Sequence, residues 1–138
     1  MIDHISLGVR DLRASITFYQ AALEPLGMRM IVDQATRAGF GSKYPELWLN
    51  ARAAMALVAA DTGSHLCLRA RTTSAVDAFY RQAIAGGGWD DGPPGLRQAT
   101  QVVYYAAFVR DPDGHRIEVM TVPPEAQTGG DGSPPKSV

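Results

Sequence analysis

Three side chains combine ligand or proton-transfer chemistry with a telling placement: His4, His65 and Glu118. Imidazoles and carboxylates hold divalent ions, and both serve as general acids and bases. His4 opens the run His4-Ile-Ser-Leu-Gly-Val9 and His65 opens His65-Leu-Cys-Leu-Arg-Ala70, where aliphatic residues alternate with small or polar ones. That is the period of a strand with one apolar face, so both histidines point away from their aliphatic neighbours. Glu118, between Ile117 and Val119, does the same, and Trp48, Ser6, Cys67 and Glu46 share these faces. The bland reading of such a histidine is a hydrogen-bonded interior residue. Trp48 is read as a cavity wall or stacking surface, because indole offers area and one donor. Cys67 reads as a small apolar strand residue, with a reactive thiol as the alternative.

The elements that must position these groups follow from periodicity. After the first strand, Leu12, Ile16, Tyr19, Leu23 and Leu26 recur at helical spacing, with Asp11 or Ser15 as cap and Pro25 and Gly27 as stops. Residues 28–32, 38–41 and 46–50 read as a three-stranded meander, and residues 51–63 as a connection. The pattern then restarts with a strand at 65–70 and a helix over 76–85 that ends at Gly86-Gly-Gly88. Strands are expected over 104–110 and 116–121, separated by the Asp111-Pro-Asp-Gly114 turn, with His115 a solvated loop residue. The Gly- and Pro-rich stretch 91–101 reads as a long loop, a candidate lid carrying Arg97 and Gln101. Of Tyr104 and Tyr105, alternation lets only one face a cavity, as proton donor or substrate clamp. Residues 122–138 are too poor in apolar side chains to bury themselves and are expected to form a flexible tail.

Sliding the sequence by 61 residues aligns 4–28 with 65–89 at eight identities, among them His4 with His65 and Phe18-Tyr19 with Phe79-Tyr80. Chance gives roughly two at ordinary composition. The chain therefore reads as a duplicated β-α-β-β-β unit, with module 1 at about 1–50 and module 2 at about 64–121 of one domain, residues 1–121. Carried further, the repeat sets Leu47-Trp48-Leu49 against Ile117-Glu118-Val119. If each helix covers one sheet face, the other faces are left to meet or to curl around a cavity.

Composition excludes other classes. Thirteen Lys and Arg balance fourteen Asp and Glu, with no basic block, so neither nucleic acid nor an anionic membrane is expected as partner. No apolar stretch approaches the roughly 20 residues of a spanning helix. One cysteine, Cys67, forbids an internal disulfide, and a cytoplasmic location is expected.

With these residues in view, the sequence resembles the vicinal oxygen chelate superfamily, which includes glyoxalase I, bleomycin and fosfomycin resistance proteins and extradiol dioxygenases. The carriers are Asp3-His4-Ile-Ser-Leu-Gly-Val9 with Asp11-Leu12 and 15–19, His65-Leu-Cys-Leu, and Phe108-Val-Arg-Asp-Pro-Asp-Gly-His-Arg-Ile-Glu118. The resemblance implies an α+β fold of tandem βαβββ modules with curved mixed sheets forming a cup; a homodimer is expected because exposed sheet edges at this size are commonly paired. It also implies a divalent metal ion (Fe, Zn, Ni or Mn) on the first and last strands of the modules, here His4, Trp48, His65 and Glu118. Indole cannot ligate, so authentic glyoxalase I chemistry is not expected. A register slip bringing in Glu46 is the alternative. Two histidines and one carboxylate remain, a set that leaves open coordination positions. Glu118 and Tyr105 are the candidate catalytic groups; Trp48, Cys67, Tyr104, Arg97 and Gln101 are the candidate substrate contacts. The implied activity is that of a metal-dependent lyase, isomerase or dioxygenase on a small oxygenated molecule. The alternative is a metal-free sequestering protein of the bleomycin-resistance type.

Overall fold

The computed structural model describes residues 1–124, so most of the expected tail lies outside the described residues. The first module runs β1 (Ile5–Val9), α1 (Leu12–Leu23), a 3-10 turn (Glu24–Leu26), β2 (Arg29–Asp33), β3 (Arg37–Gly41) and β4 (Leu47–Ala51). The second runs β5 (Leu66–Arg69), α2 (Thr73–Ala85), β6 (Trp89–Ala99), β7 (Val102–Arg110) and β8 (Arg116–Thr121). Two unclosed four-stranded sheets result, ordered β1-β4-β3-β2 and β5-β8-β7-β6, which is the duplication expressed as topology. In each sheet the first strand pairs parallel with the last, and the other pairings are antiparallel.

Local chemistry explains the helix starts. The Asp11 carboxylate accepts from Ala14 N at 3.0 Å and so caps α1. In α2 the Thr72 hydroxyl accepts from Ala75 N at 3.1 Å, which starts the helix at Thr73, three residues earlier than the apolar pattern suggests. No helix among the described residues is long and apolar enough to cross a membrane.

Residues 91–101 are not a lid: most of the stretch lies in β6, which pairs with β7 from Trp89↔Arg110 to Ala99↔Val102. The sequence Asp90-Asp-Gly-Pro-Pro-Gly95 reads as loop because proline cannot donate to a ladder. An edge strand tolerates it: β6 pairs on one side only, and its register shifts between Asp90 and Gly92 and again before Gly95. Gln101 sits in the turn to β7.

One hydrophobic cluster takes side chains from both modules, including Phe18, Tyr19, Phe40 and Leu49 with Phe79, Val109, Ile117 and Val119. The turn after β7 bolts the modules together. The Tyr19 hydroxyl donates to Asp111 Oδ2 at 2.6 Å, and Arg10 donates to Asp113 Oδ1 through its backbone N at 3.0 Å and its Nε at 2.8 Å. Ser15 Oγ donates to Asp113 Oδ2 at 3.4 Å. His115 is not a solvated loop residue: its Nε2 lies 2.7 Å from Gly8 O and joins the turn to β1. The connection after β4 is tied to the same turn by Val58 N donating to Asp113 O at 2.8 Å.

Candidate functional site

Side chains paired across a sheet point to the same face, so the register defines two equivalent rows. Across the first sheet run Ser6, Trp48 and Gly39; across the second run Cys67, Glu118, Phe108 and Gly92. Leu47, Leu49, Ile117 and Val119 belong to the shared core, so both rows lie on the faces turned away from the helices. Ile5↔Leu47 and Leu66↔Ile117 are equivalent pairs, which makes Trp48 the counterpart of Glu118 with no slip. Glu46 is the counterpart of Arg116, and its carboxylate turns to Ser42 N at 3.2 Å.

On the second sheet, His65 Nε2 and Glu118 Oε2 stand 3.1 Å apart. The Glu118 side chain is 9% exposed and that of His65 38%, so a nearly buried carboxylate meets an imidazole that solvent reaches. Phe108 flanks the pair, its ring centroid 6.3 Å from that of His65. Partial desolvation, and then the Glu118 charge and hydrogen bond, push the Cys67 thiol up to about 12. Cys67 is thus a neutral thiol at neutral pH, which does not support the reactive-thiol alternative.

The first sheet is built differently. His4 Nδ1 lies 2.7 Å from Asp3 Oδ2, on a side chain 49% exposed. Trp48 lies over Gly39, where a Cβ would fall 3.1 Å from its Cζ3 and 2.9 Å from Pro45 Cβ. The Arg37 guanidinium carbon stands 5.0 Å from the centre of the Trp48 ring.

The structure therefore brings together His65, Cys67 and Glu118, and places Tyr104 and Arg97, paired in register, on the same open face. Arg97 is occupied by the carbonyl oxygens of Pro93 at 2.7 Å and Leu96 at 3.3 Å. Tyr105 is on the opposite face: its hydroxyl donates to Asp77 Oδ1 of α2 at 2.6 Å, the main cause of its raised pKa, ahead of desolvation. A tyrosine packed on a helix cannot serve this site, which corrects its expected catalytic role. His4 does not reach His65 and Glu118 within one chain, and no group of three or more metal-ligating side chains converges among the described residues. A cleft of about 390 Å³, lined in part by His4, Glu46, Leu26 and Leu68, opens between the modules and away from the His65–Glu118 pair. Sequence reasoning missed Asp91, which accepts from Arg116 Nε at 2.6 Å and pairs with Arg110 Nε at 3.5 Å; only the recognition of β6 as a strand could have found it.

Two open sheets, each backed by one helix and related by duplication, define a paired-module α+β protein with its polar groups on strand faces. The chain matches the family model of the glyoxalase/bleomycin resistance protein/dioxygenase superfamily over residues 1–119 and belongs to that superfamily. A glyoxalase/bleomycin resistance protein from Albidiferax ferrireducens T118 is similar at 32% identity and TM-score 0.75, over 85% of this chain and 95% of that one. A glyoxalase/bleomycin resistance protein/dioxygenase family enzyme from Burkholderia phytofirmans PsJN shares the fold at 20% identity and TM-score 0.66, over 88% and 98%. A glyoxalase-related enzyme from Fulvimarina pelagi does so at 23% identity and TM-score 0.64, over 87% and 86%. No curated protein matches the chain.

Proposed function

We propose that the chain acts on a small oxygenated molecule at His65 and Glu118, which hold a divalent metal ion together with His4 of a second copy of the chain. One observation carries this reading: the 3.1 Å between His65 Nε2 and Glu118 Oε2. Two donors on one ion at about 2.0–2.2 Å, at tetrahedral or octahedral angles, stand about 2.9–3.5 Å apart. The pair already has that separation, and its two imidazole-and-carboxylate donor types suit Zn, Fe, Ni or Mn. A second copy is invoked because His4 and Trp48 sit on the face equivalent to that of His65 and Glu118 yet do not meet them in one chain. The free edges of β1 and β5 leave room for such pairing.

A bound ion would supply Lewis acidity toward a substrate oxygen. The chain's own residues do the rest. Glu118, nearly buried, is the group placed to take or return a proton; His65 orients it; Phe108 and Trp48 offer flat apolar walls that exclude water. Metal content and subunit number, measured on protein purified without chelator and on Glu118→Ala and His4→Ala, test this. The expected result is a dimer with one ion per chain and an affinity at least about 100-fold weaker in each variant. No stoichiometric metal before or after reconstitution would sink it. A second reading, a metal-free binder, is favoured by Trp48: the register puts an indole, a stacking surface, where a fourth donor would stand.

A further inference from the structure

Arg116 lies two residues before Glu118 on the same side of β8, about 6.5–7 Å along the strand. Its Nε donates to Asp91 Oδ2 at 2.6 Å, and its guanidinium carbon stands 4.5 Å from the Phe108 ring centre. The inner part of the guanidinium is thus fixed from two sides, whereas its terminal nitrogens have no partner among the described residues. The side chain is 35% exposed. Arg110, which shares Asp91, is used up: its Nη1 donates to Gly114 O at 3.1 Å and its Nη2 to Ala60 O at 3.3 Å, and it is 11% exposed. Two cations share one carboxylate, leaving a net positive charge beside His65 and Glu118.

The backbone is shaped for this arrangement. Asp91 sits in the irregularity between Asp90 and Gly92. Gly92 has φ +146°, and a Cβ there would fall 3.2 Å from Phe108 Cδ2. Only glycine fits comfortably at that position, so the bulge delivers Asp91 to the arginines and keeps room for the ring under Arg116. A guanidinium held in advance, with its fork of donors open, suits a planar carboxylate, and the ordering entropy of a free arginine is already spent.

We infer that Arg116 is a specificity-determining residue that selects substrates carrying a carboxylate about one strand repeat from the group bound at His65 and Glu118. The inference rests on the site proposed above. Its test compares benzoate with neutral benzyl alcohol on the full chain, by calorimetry and by the Arg116 Nε–Hε resonance. Benzoate should bind at least tenfold tighter and move that resonance. The preference should vanish in Arg116→Gln and survive in part in Arg116→Lys. Equal binding of the two probes, binding of neither, or a preference that persists in Arg116→Gln overturns the inference; should Arg116→Gln fail to fold, the wild-type resonance decides. Metal content of the same preparations separates the two ideas. A benzoate preference in protein that takes up no stoichiometric metal even on reconstitution retires the metal reading and keeps this one, and bound metal without the preference does the reverse.

Discussion

The two modules share a topology and a row of equivalent positions, but they have divided the work between them. The second sheet carries a carboxylate and an imidazole 3.1 Å apart, while at the matching place the first carries an indole stacked with Arg37. The same asymmetry appears in the turns before the last strands. The bonds of the 42–46 turn stay in the first module, Ser42 N to Glu46 Oε2, Glu46 N to Phe40 O and Ile5 N to Glu46 O, whereas the 111–115 turn of the second reaches across to Gly8, Arg10, Ser15 and Tyr19. The imidazole–carboxylate pair and the fastening turn thus both lie in the second copy.

The fastening gives the largest way to break this comparison. Asp113 is 2% exposed and opposes Arg10, itself 40% exposed, so Asp113→Ala should cost about 2–4 kcal/mol by removing its bonds to Arg10 N and Nε and to Ser15 Oγ, with solvent screening the ion-pair part. Lys43→Ala in the equivalent turn should stay within about 0.5 kcal/mol. Denaturant unfolding measures both, and equal losses would contradict the asymmetry. Tyr19→Phe is next, at about 1.5–3 kcal/mol near neutral pH, since it removes a 2.6 Å bond to buried Asp111. Burial, then the Asp111 charge, holds the Tyr19 phenol well above its ordinary 10.0. The folded state therefore keeps a proton that the unfolded chain releases, so this stabilisation is complete below pH 10 and drains above it. The slope is about 1.4 kcal/mol per pH unit. Stability curves from pH 8 to 11.5 should fall more steeply in the wild type than in Tyr19→Phe by up to that slope, since Cys67 and Tyr105, also raised, add equally to both. The smallest effect sharpens the chemical contrast. Trp48→Glu places a carboxylate where the register pairs it with Ser6, as Glu118 pairs with Cys67, and should tighten metal binding about tenfold, read by chelator competition.

Much of this was legible in residue order. The alternation around His4 and His65 placed them beside β1 and β5, and the 61-residue repeat matched Trp48 to Glu118, as the register has it. Residues acting over long separations were not legible. His115 reads as a turn residue, yet its partner Gly8 is 107 positions away. Tyr104 and Tyr105 are indistinguishable by type, and only the packing of α2 through Asp77 separates them. In β6 the local signal was misleading: glycine and proline mark loops unless an edge position excuses their missing ladder bonds, and edge positions are settled by the whole sheet.

The placement of Trp48 has an optical consequence. The chain has two tryptophans, and Trp89, at the start of β6, is 45% exposed and remote from the row that holds Trp48. With Trp89 replaced by phenylalanine, Trp48 becomes the sole indole emitter, fixed on one of the two open faces. Its emission then serves as a built-in gauge: whatever seats against the first sheet, a ligand or a second chain, changes its colour or brightness.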